Sequence, residues 1–197
     1  MAEKIEFWFE FASTYSYVAA EEIEEKAAAA RIEVVWRPFL LGPIFAEQGW
    51  RDSPFNLYPA KGAYMWRDIE RLCQSKGIAW RRRSAFPRNG LLAARVATAL
   101  DGTEKLAAFV RAVYRANFSD DLDISDPSVL KEILRGLSLD AEATLNRAND
   151  ESVKRLLRAR TDEAKSRGVF GAPSFFAKEE LFWGSDRLEL ALSALRE

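Results

Sequence analysis

The sequence predicts an α/β protein, a strand layer interrupted by a long helical insertion, on three observations. Strand-like runs stand at both ends of the chain, over residues 5–11, 32–36 and 172–183. Between them, from about residue 91 to 168, apolar residues recur at helical rather than strand spacing. The first two strand runs enclose a helical stretch, which makes a β-α-β unit with parallel strands and a right-handed crossover. With 197 residues, 48% hydrophobic and 30% charged, the chain supports one compact unit without long disordered tracts.

The first strand, IEFWFEF, is rich in β-branched and aromatic residues; Ile5, Phe7, Phe9 and Phe11 share one face, and Trp8 stands among glutamates opposite. A polar turn, Ser13-Thr14-Tyr15-Ser16, leads into a helix reaching about Ala30, with Ala19, Ile23, Ala27 and Ala30 as its stripe. Residues 32–36 form the second strand, ended by Pro38. From 40 to 59 glycines and prolines recur without period, so the segment reads as a loop bordering a site. A helix follows over 63–76 and stops at Gly77.

Four stripes mark the helices of the insertion: Leu92, Val96 and Ala99; Leu106, Val110 and Val113; Ile133, Leu134 and Leu137; and Val153, Leu156, Arg160 and Ala164. Asp126-Pro127 supplies an N-cap with proline at the first helical position, and Asn149 or Asp150 caps the last of them. Beyond Gly168, residues 172–176 and 181–183 form a hairpin around a polar turn. Ser185 or Asp186 then caps a final helix whose stripe is Leu188, Ala191, Leu192 and Leu195.

Composition removes whole classes of chemistry. With 29 basic and 30 acidic residues the net charge is -1, so no global field favours nucleic acid or an acidic membrane. No run approaches the roughly 18 apolar residues of a membrane span, and residues 1–11 lack the pattern of a secretion signal, so the expected compartment is the cytoplasm. There is no histidine, and Cys73 is the one cysteine. That excludes Ser-His-Asp and Cys-His units, histidine-ligated zinc and an intramolecular disulfide. A nucleophile acting here is therefore expected to come from a bound cofactor.

Four motifs then stand out in order: Phe9-Glu10-Phe11-Ala12-Ser13-Thr14-Tyr15-Ser16-Tyr17; Pro59-Ala60-Lys61-Gly62 with Tyr64; Phe170-Gly171-Ala172-Pro173; and Phe182-Trp183-Gly184-Ser185-Asp186-Arg187. Together they resemble the family of 2-hydroxychromene-2-carboxylate isomerases and kappa-class glutathione transferases, in the DsbA-like branch of thioredoxin folds. The resemblance implies a thioredoxin-like sheet domain from residues 1–60 and 170–197, with 61–169 as a helical insertion domain. It also implies glutathione as cofactor and a homodimer.

Ser13 matches the family's catalytic serine, which implies a hydrogen bond that favours the glutathione thiolate. The physics agrees, because a thiol of pKa about 8.5 is only about 3% ionised at pH 7 and a helix N-terminus favours an anion. Read alone, Ser13 is an N-cap. Redox relatives carry Cys-x-x-Cys where this chain has Ser13-x-x-Ser16, which removes disulfide exchange. Glu10 replaces the family's usual aspartate and is either a buried carboxylate or a solvent-facing one.

Ala172 and Pro173 match the family's cis-proline pair, whose backbone takes a peptide-like ligand as an added strand; read alone, Pro173 begins a strand. Ser185 and Asp186 match the pair that holds the γ-glutamyl group, and Lys61 the lysine at the glycyl carboxylate; read alone, they are two caps and a surface lysine. An upstream asparagine of the kappa class has no counterpart, Asp52 or Ser53 lying nearby instead. Of the tryptophans at 8, 36, 50, 66, 80 and 183, most read as core and some as the wall of a pocket for a flat substrate. Arg81-Arg82-Arg83 and Arg88-Asn89 read as solvated charge rather than as a substrate-carboxylate site, and Cys73 as inert packing.

The resemblance thus implies an enzyme acting on a small aromatic or otherwise electrophilic substrate: a glutathione-dependent cis-trans isomerase of an aromatic enone acid. A kappa-type transferase or peroxidase is the alternative on the same residues. A non-catalytic thioredoxin-like module binding a peptide or protein partner is the reading from another class.

Overall fold

The structure, a computed structural model, describes residues 3–196. Strand β1 (Lys4–Phe9) runs into helix α1 (Thr14–Ala30) and returns as β2 (Glu33–Pro38). Helices α2 (Leu41–Glu47), α3 (Pro54–Leu57), α4 (Pro59–Lys76), α5 (Leu91–Ala99), α6 (Leu106–Phe118), α7 (Pro127–Gly136), α8 (Ala141–Ala148) and α9 (Glu151–Ser166) follow. The chain then closes with β3 (Ser174–Ala177), β4 (Glu180–Trp183), a 3₁₀ turn (Ser185–Arg187) and α10 (Leu188–Ala194).

The sheet order is β2-β1-β3-β4, with β1 and β2 parallel as the crossover requires and the other pairs antiparallel. Phe7 lies opposite both Trp36 and Phe175, and its ring meets theirs at 5.1 and 5.5 Å between centroids. This face belongs to a core that continues into the helices through Phe11, Tyr17, Phe109, Tyr114 and Phe118. Aromatic residues bury large areas, so this seam is where much of the stabilisation lies.

On the opposite face Trp8 is covered as well. Its side chain is fully buried beside Phe39, Ile44, Ala164, Val169 and Phe176. The indole Nε1 donates to Glu6 Oε2 at 2.7 Å, and the Arg167 guanidinium, bonded to the same carboxylate, lies over the Phe176 ring. A polar atom inside thus has its partner.

Other expectations shift by a turn or a face. The segment 40–59 is not a plain loop but carries α2 and α3, the latter capped by Ser53 with Pro54 at its first position. Helix α4 begins at Pro59 rather than 63, and Gly62 lies so close to the Phe55 carbonyl that a Cβ would overlap it. In α9 the inward residue is Leu157, whereas Leu156 is exposed. Asp126 caps α7 by accepting from the Ser128 N–H at 2.8 Å, while Asp150 stands at the N-cap of α9 without such a bond. Neither Ser185 nor Asp186 caps α10; both lie in the 3₁₀ turn, and Glu189 pairs with Lys26 at 2.7 Å.

Candidate active site

Ser13 stands where β1 passes into α1, as the N-cap residue in extended backbone conformation. Its Oγ accepts from the Ser16 N–H at 3.1 Å and donates to the Ala172 carbonyl at 2.9 Å. The two motifs 159 positions apart are therefore in direct contact. The Ala172–Pro173 peptide bond is cis, and Ser174 anchors the far side by donating to the Gly171 carbonyl at 2.9 Å. Gly171 is needed here because a Cβ would overlap the indole nitrogen of Trp183, whose ring meets that of Phe170 at 4.8 Å between centroids, tilted by 58°.

The turn ahead of Ser13 is held from several sides. The Ser13 N–H donates to the Glu10 carbonyl at 3.0 Å, and Glu10 Oε2 accepts the Ala12 N–H at 2.9 Å. From α6, the Tyr114 hydroxyl donates to the Glu10 carbonyl at 2.9 Å, and Asn117 Nδ2 donates to the Phe11 carbonyl at 3.0 Å. Burial pushes the Glu10 carboxyl up to about 7, the opposing Ala12 N–H notwithstanding, and burial likewise raises the Tyr114 hydroxyl. Ser16, where a resolving cysteine stands in redox relatives, is fully buried, and its Oγ has no partner among the described residues.

Arg83 and Arg88 are not solvated surface. Both are buried and donate to the Asn117 carbonyl, Arg88 at 3.2 Å, while Arg88 also bonds the Asn117 side chain at 3.1 Å and pairs with Asp121. They brace the residue that braces the site; Arg88 is taken up by Asn117 and Asp121, while Arg83 Nε and Nη2 are buried without a partner among the described residues. Arg81 and Arg82 are exposed, Arg82 over the Trp66 ring.

Helix α4 packs on α1 through Thr14 Oγ1 to Met65 Sδ at 3.4 Å and Tyr15 hydroxyl to Asp68 at 2.9 Å. Burial, then Asp68, raises the Tyr15 hydroxyl's pKa, and the 3₁₀ turn packs against α1. Lys61 is one turn before Met65 on the same face of α4; it is exposed, with its ammonium over the Tyr58 ring. Asp52 accepts from the Ser53 N–H and from Asn56, so it braces its own loop. Cys73 is fully buried, and burial pushes its thiol up to about 12.

Tyr114 and Asn117 were not singled out from the sequence. A signal for Asn117 existed: it falls seven residues after Val110, on the buried face of α6, where a polar side chain needs a partner.

Known proteins resemble this chain over nearly its whole length. The profile of the DSBA-like thioredoxin domain matches residues 4–196. The chain is 28% identical over 196 residues to a 2-hydroxychromene-2-carboxylate isomerase of Sphingobium xenophagum, covering 99% of both chains. It is 27% identical to glutathione S-transferase kappa 1 of Rattus norvegicus, covering 98% of this chain and 91% of the relative. Both relatives are named as enzymes. A solved structure of 2-hydroxychromene-2-carboxylate isomerase superposes with a TM-score of 0.87 at 23% identity, over 98% of this chain and 94% of that one.

Proposed function

Because the chain belongs to the DSBA-like thioredoxin domain family, we propose that it is a glutathione-dependent enzyme, a cis-trans isomerase of an aromatic enone acid in which Ser13 hosts the glutathione thiolate. The observation that carries the reading is the direct contact of the Ser13 hydroxyl, at a helix N-terminus, with the Ala172 carbonyl at the cis-proline. In a chain without histidine, whose single thiol is buried, this is the polar constellation suited to a borrowed sulfur.

The residues present fit glutathione. Ala172 offers backbone groups to a peptide-like ligand, the first N–H groups of α1 favour an anion, Ser185 and Asp186 would hold the γ-glutamyl end and Lys61 the glycyl carboxylate. Bound glutathione supplies a thiolate nucleophile for addition to a conjugated electrophile. Ser13 already spends its hydrogen on Ala172. A ligand N–H that takes over the Ala172 carbonyl releases that hydrogen to turn toward sulfur, while the Ser16 N–H keeps the oxygen in place. A hydrogen bond to a charged partner is worth about 1.5 to 3 kcal/mol. On this reading residues 1–60 and 170–197, joined by Lys61 at the start of the insertion, hold glutathione, and the rest of 61–169 shapes the electrophile's surroundings.

The kappa relative supports a second reading, transfer of glutathione or reduction of a peroxide on the same residues. Calorimetric titration with glutathione, followed by product analysis on aromatic enone acids, tests both. Isomerisation returns glutathione unchanged, whereas transfer or peroxide reduction consumes it. No binding at millimolar glutathione refutes both and leaves a peptide-binding module.

A further inference from the structure

Helix α6 takes hold of the site turn at two consecutive carbonyls. The Tyr114 hydroxyl donates to the Glu10 carbonyl at 2.9 Å, and that same oxygen receives the Ser13 N–H at 3.0 Å. Three residues on, along the same face of the helix, Asn117 Nδ2 donates to the Phe11 carbonyl at 3.0 Å. Both side chains are buried, and among the described residues the side chains that bond these two carbonyls both come from α6. The sense of the Asn117 amide is fixed from its far side. A guanidinium can only donate, so Arg88, 3.1 Å away, faces Oδ1 and leaves Nδ2 to the Phe11 carbonyl, which can only accept. Arg88 is held in turn by the Asp121 carboxylate and by the Ser84 hydroxyl at 3.0 Å. The chain between Arg88 and α5 presses on the turn as well, since a Cβ at Gly90 would stand 2.9 Å from Phe11 Cβ.

We infer that Tyr114 and Asn117 are positioning residues for Ser13: by fixing the peptide planes that follow Glu10 and Phe11, they aim the hydroxyl whose hydrogen meets the bound sulfur. The inference rests on the glutathione reading above. Ser13 lies two residues beyond Phe11, and its Oγ has to stay within reach of the Ser16 N–H and the Ala172 carbonyl, now at 3.1 and 2.9 Å. A tilt of either plane swings the Ser13 Cβ, and with it the direction of the O–H bond. Hydrogen bonds weaken steeply as they bend, and misplacing a reacting group by about 1 Å costs on the order of 100-fold in rate. The helical insertion therefore contributes to the chemistry as the holder of the serine, beyond forming a wall around the electrophile. Neither Tyr114 nor Asn117 touches the sulfur.

The test uses the full chain and needs no electrophile. Tyr114→Phe removes one oxygen and keeps the ring. Asn117→Asp keeps an acceptor for Arg88 but turns an oxygen toward the Phe11 carbonyl. Val113→Ala cuts a fully buried side chain on the same helix and serves as the control for lost stability. Each protein, saturated with glutathione, is titrated with pH, and the ultraviolet absorbance of the thiolate gives the pKa of the bound thiol. Melting temperature and affinity for S-methylglutathione, which has no thiol to ionise, are measured alongside. The native protein is expected to hold the bound thiol below its ordinary value of about 8.5. Tyr114→Phe and Asn117→Asp are each expected to raise it by about one pH unit, a tenfold change in the ionisation equilibrium, with S-methylglutathione affinity unchanged. Val113→Ala is expected to melt lower and keep the native thiol pKa. A native thiol pKa in either variant that folds, or an equal rise in Val113→Ala, overturns the inference and leaves the glutathione reading standing. Failure of both variants to fold assigns the two side chains to stability alone and overturns it too. Absence of glutathione binding by the native protein overturns both readings.

Discussion

Replacing Ser13 by alanine removes three interactions at once, and their separate sizes make the outcome diagnostic. The oxygen no longer caps α1 at the Ser16 N–H, a loss of about 1 kcal/mol. The donor to the Ala172 carbonyl goes too, about another 1 kcal/mol. Together they should lower the melting temperature by roughly 4 to 8 °C for a chain of this size. The third loss appears only in catalysis: about 1.5 to 3 kcal/mol of thiolate stabilisation, or roughly a 10- to 150-fold fall in kcat/KM with glutathione. Ser13→Asp separates the cap from the chemistry. Aspartate caps as well as serine, so Ser13→Asp should recover the cap's share of the stability. It offers no hydrogen to sulfur and adds a like charge, so its turnover should fall below that of Ser13→Ala. Melting curves and steady-state rates on the three proteins are the assay. Full kcat/KM in Ser13→Ala, or activity that merely follows melting temperature across the series, would refute a thiolate-hosting serine and leave a helix cap.

Two further outcomes follow from burial. Glu10 is raised in the folded protein from an ordinary 4.5 to about 7, so the native state binds this proton more tightly than the unfolded one; the stability it confers is complete below about 4.5 and is lost as pH rises to about 7. The span is on the order of 3 kcal/mol, and urea unfolding at a series of pH values should show Glu10→Gln lacking that decline; parallel curves for the two proteins would contradict the assignment. Cys73, its thiol pushed up to about 12 by burial, should resist thiol alkylation until the protein unfolds, and Cys73→Ala should keep full glutathione-dependent turnover. Lost turnover in a stably folded Cys73→Ala protein would place a thiol of the chain in the chemistry.

The parts that were readable from the sequence are those whose information is local. The β-α-β opening follows from alternation in IEFWFEF and a helical stripe, and the Asp126 cap follows from two adjacent residues. Motif resemblance marks Ser13 and Ala172 as parts of one site, but their direct contact is visible only in the structure, since residues 159 apart share no local signal. What escaped depends on distant partners. Arg83 and Arg88 look like surface charge until the Asn117 carbonyl and Asp121 supply acceptors inside. The pairing of Ser185 and Asp186 with a helix start failed because Gly184, at φ 112, turns the chain into a 3₁₀ turn before α10 begins.

The division is physical rather than accidental. Residues that meet a ligand sit at chain turns, where serine, proline and glycine are chosen for backbone geometry and so leave a mark within a few positions. Residues that hold those turns act through one side chain on one distant carbonyl, as Tyr114 and Asn117 do on Glu10 and Phe11, and they fit any pattern that keeps α6 amphipathic. A substitution in α6 therefore reaches Ser13 without touching it, by releasing a carbonyl two or three residues upstream. The insertion helices shape the site's rigidity as well as its surroundings, and the sequence of the site turn alone carries no trace of that dependence.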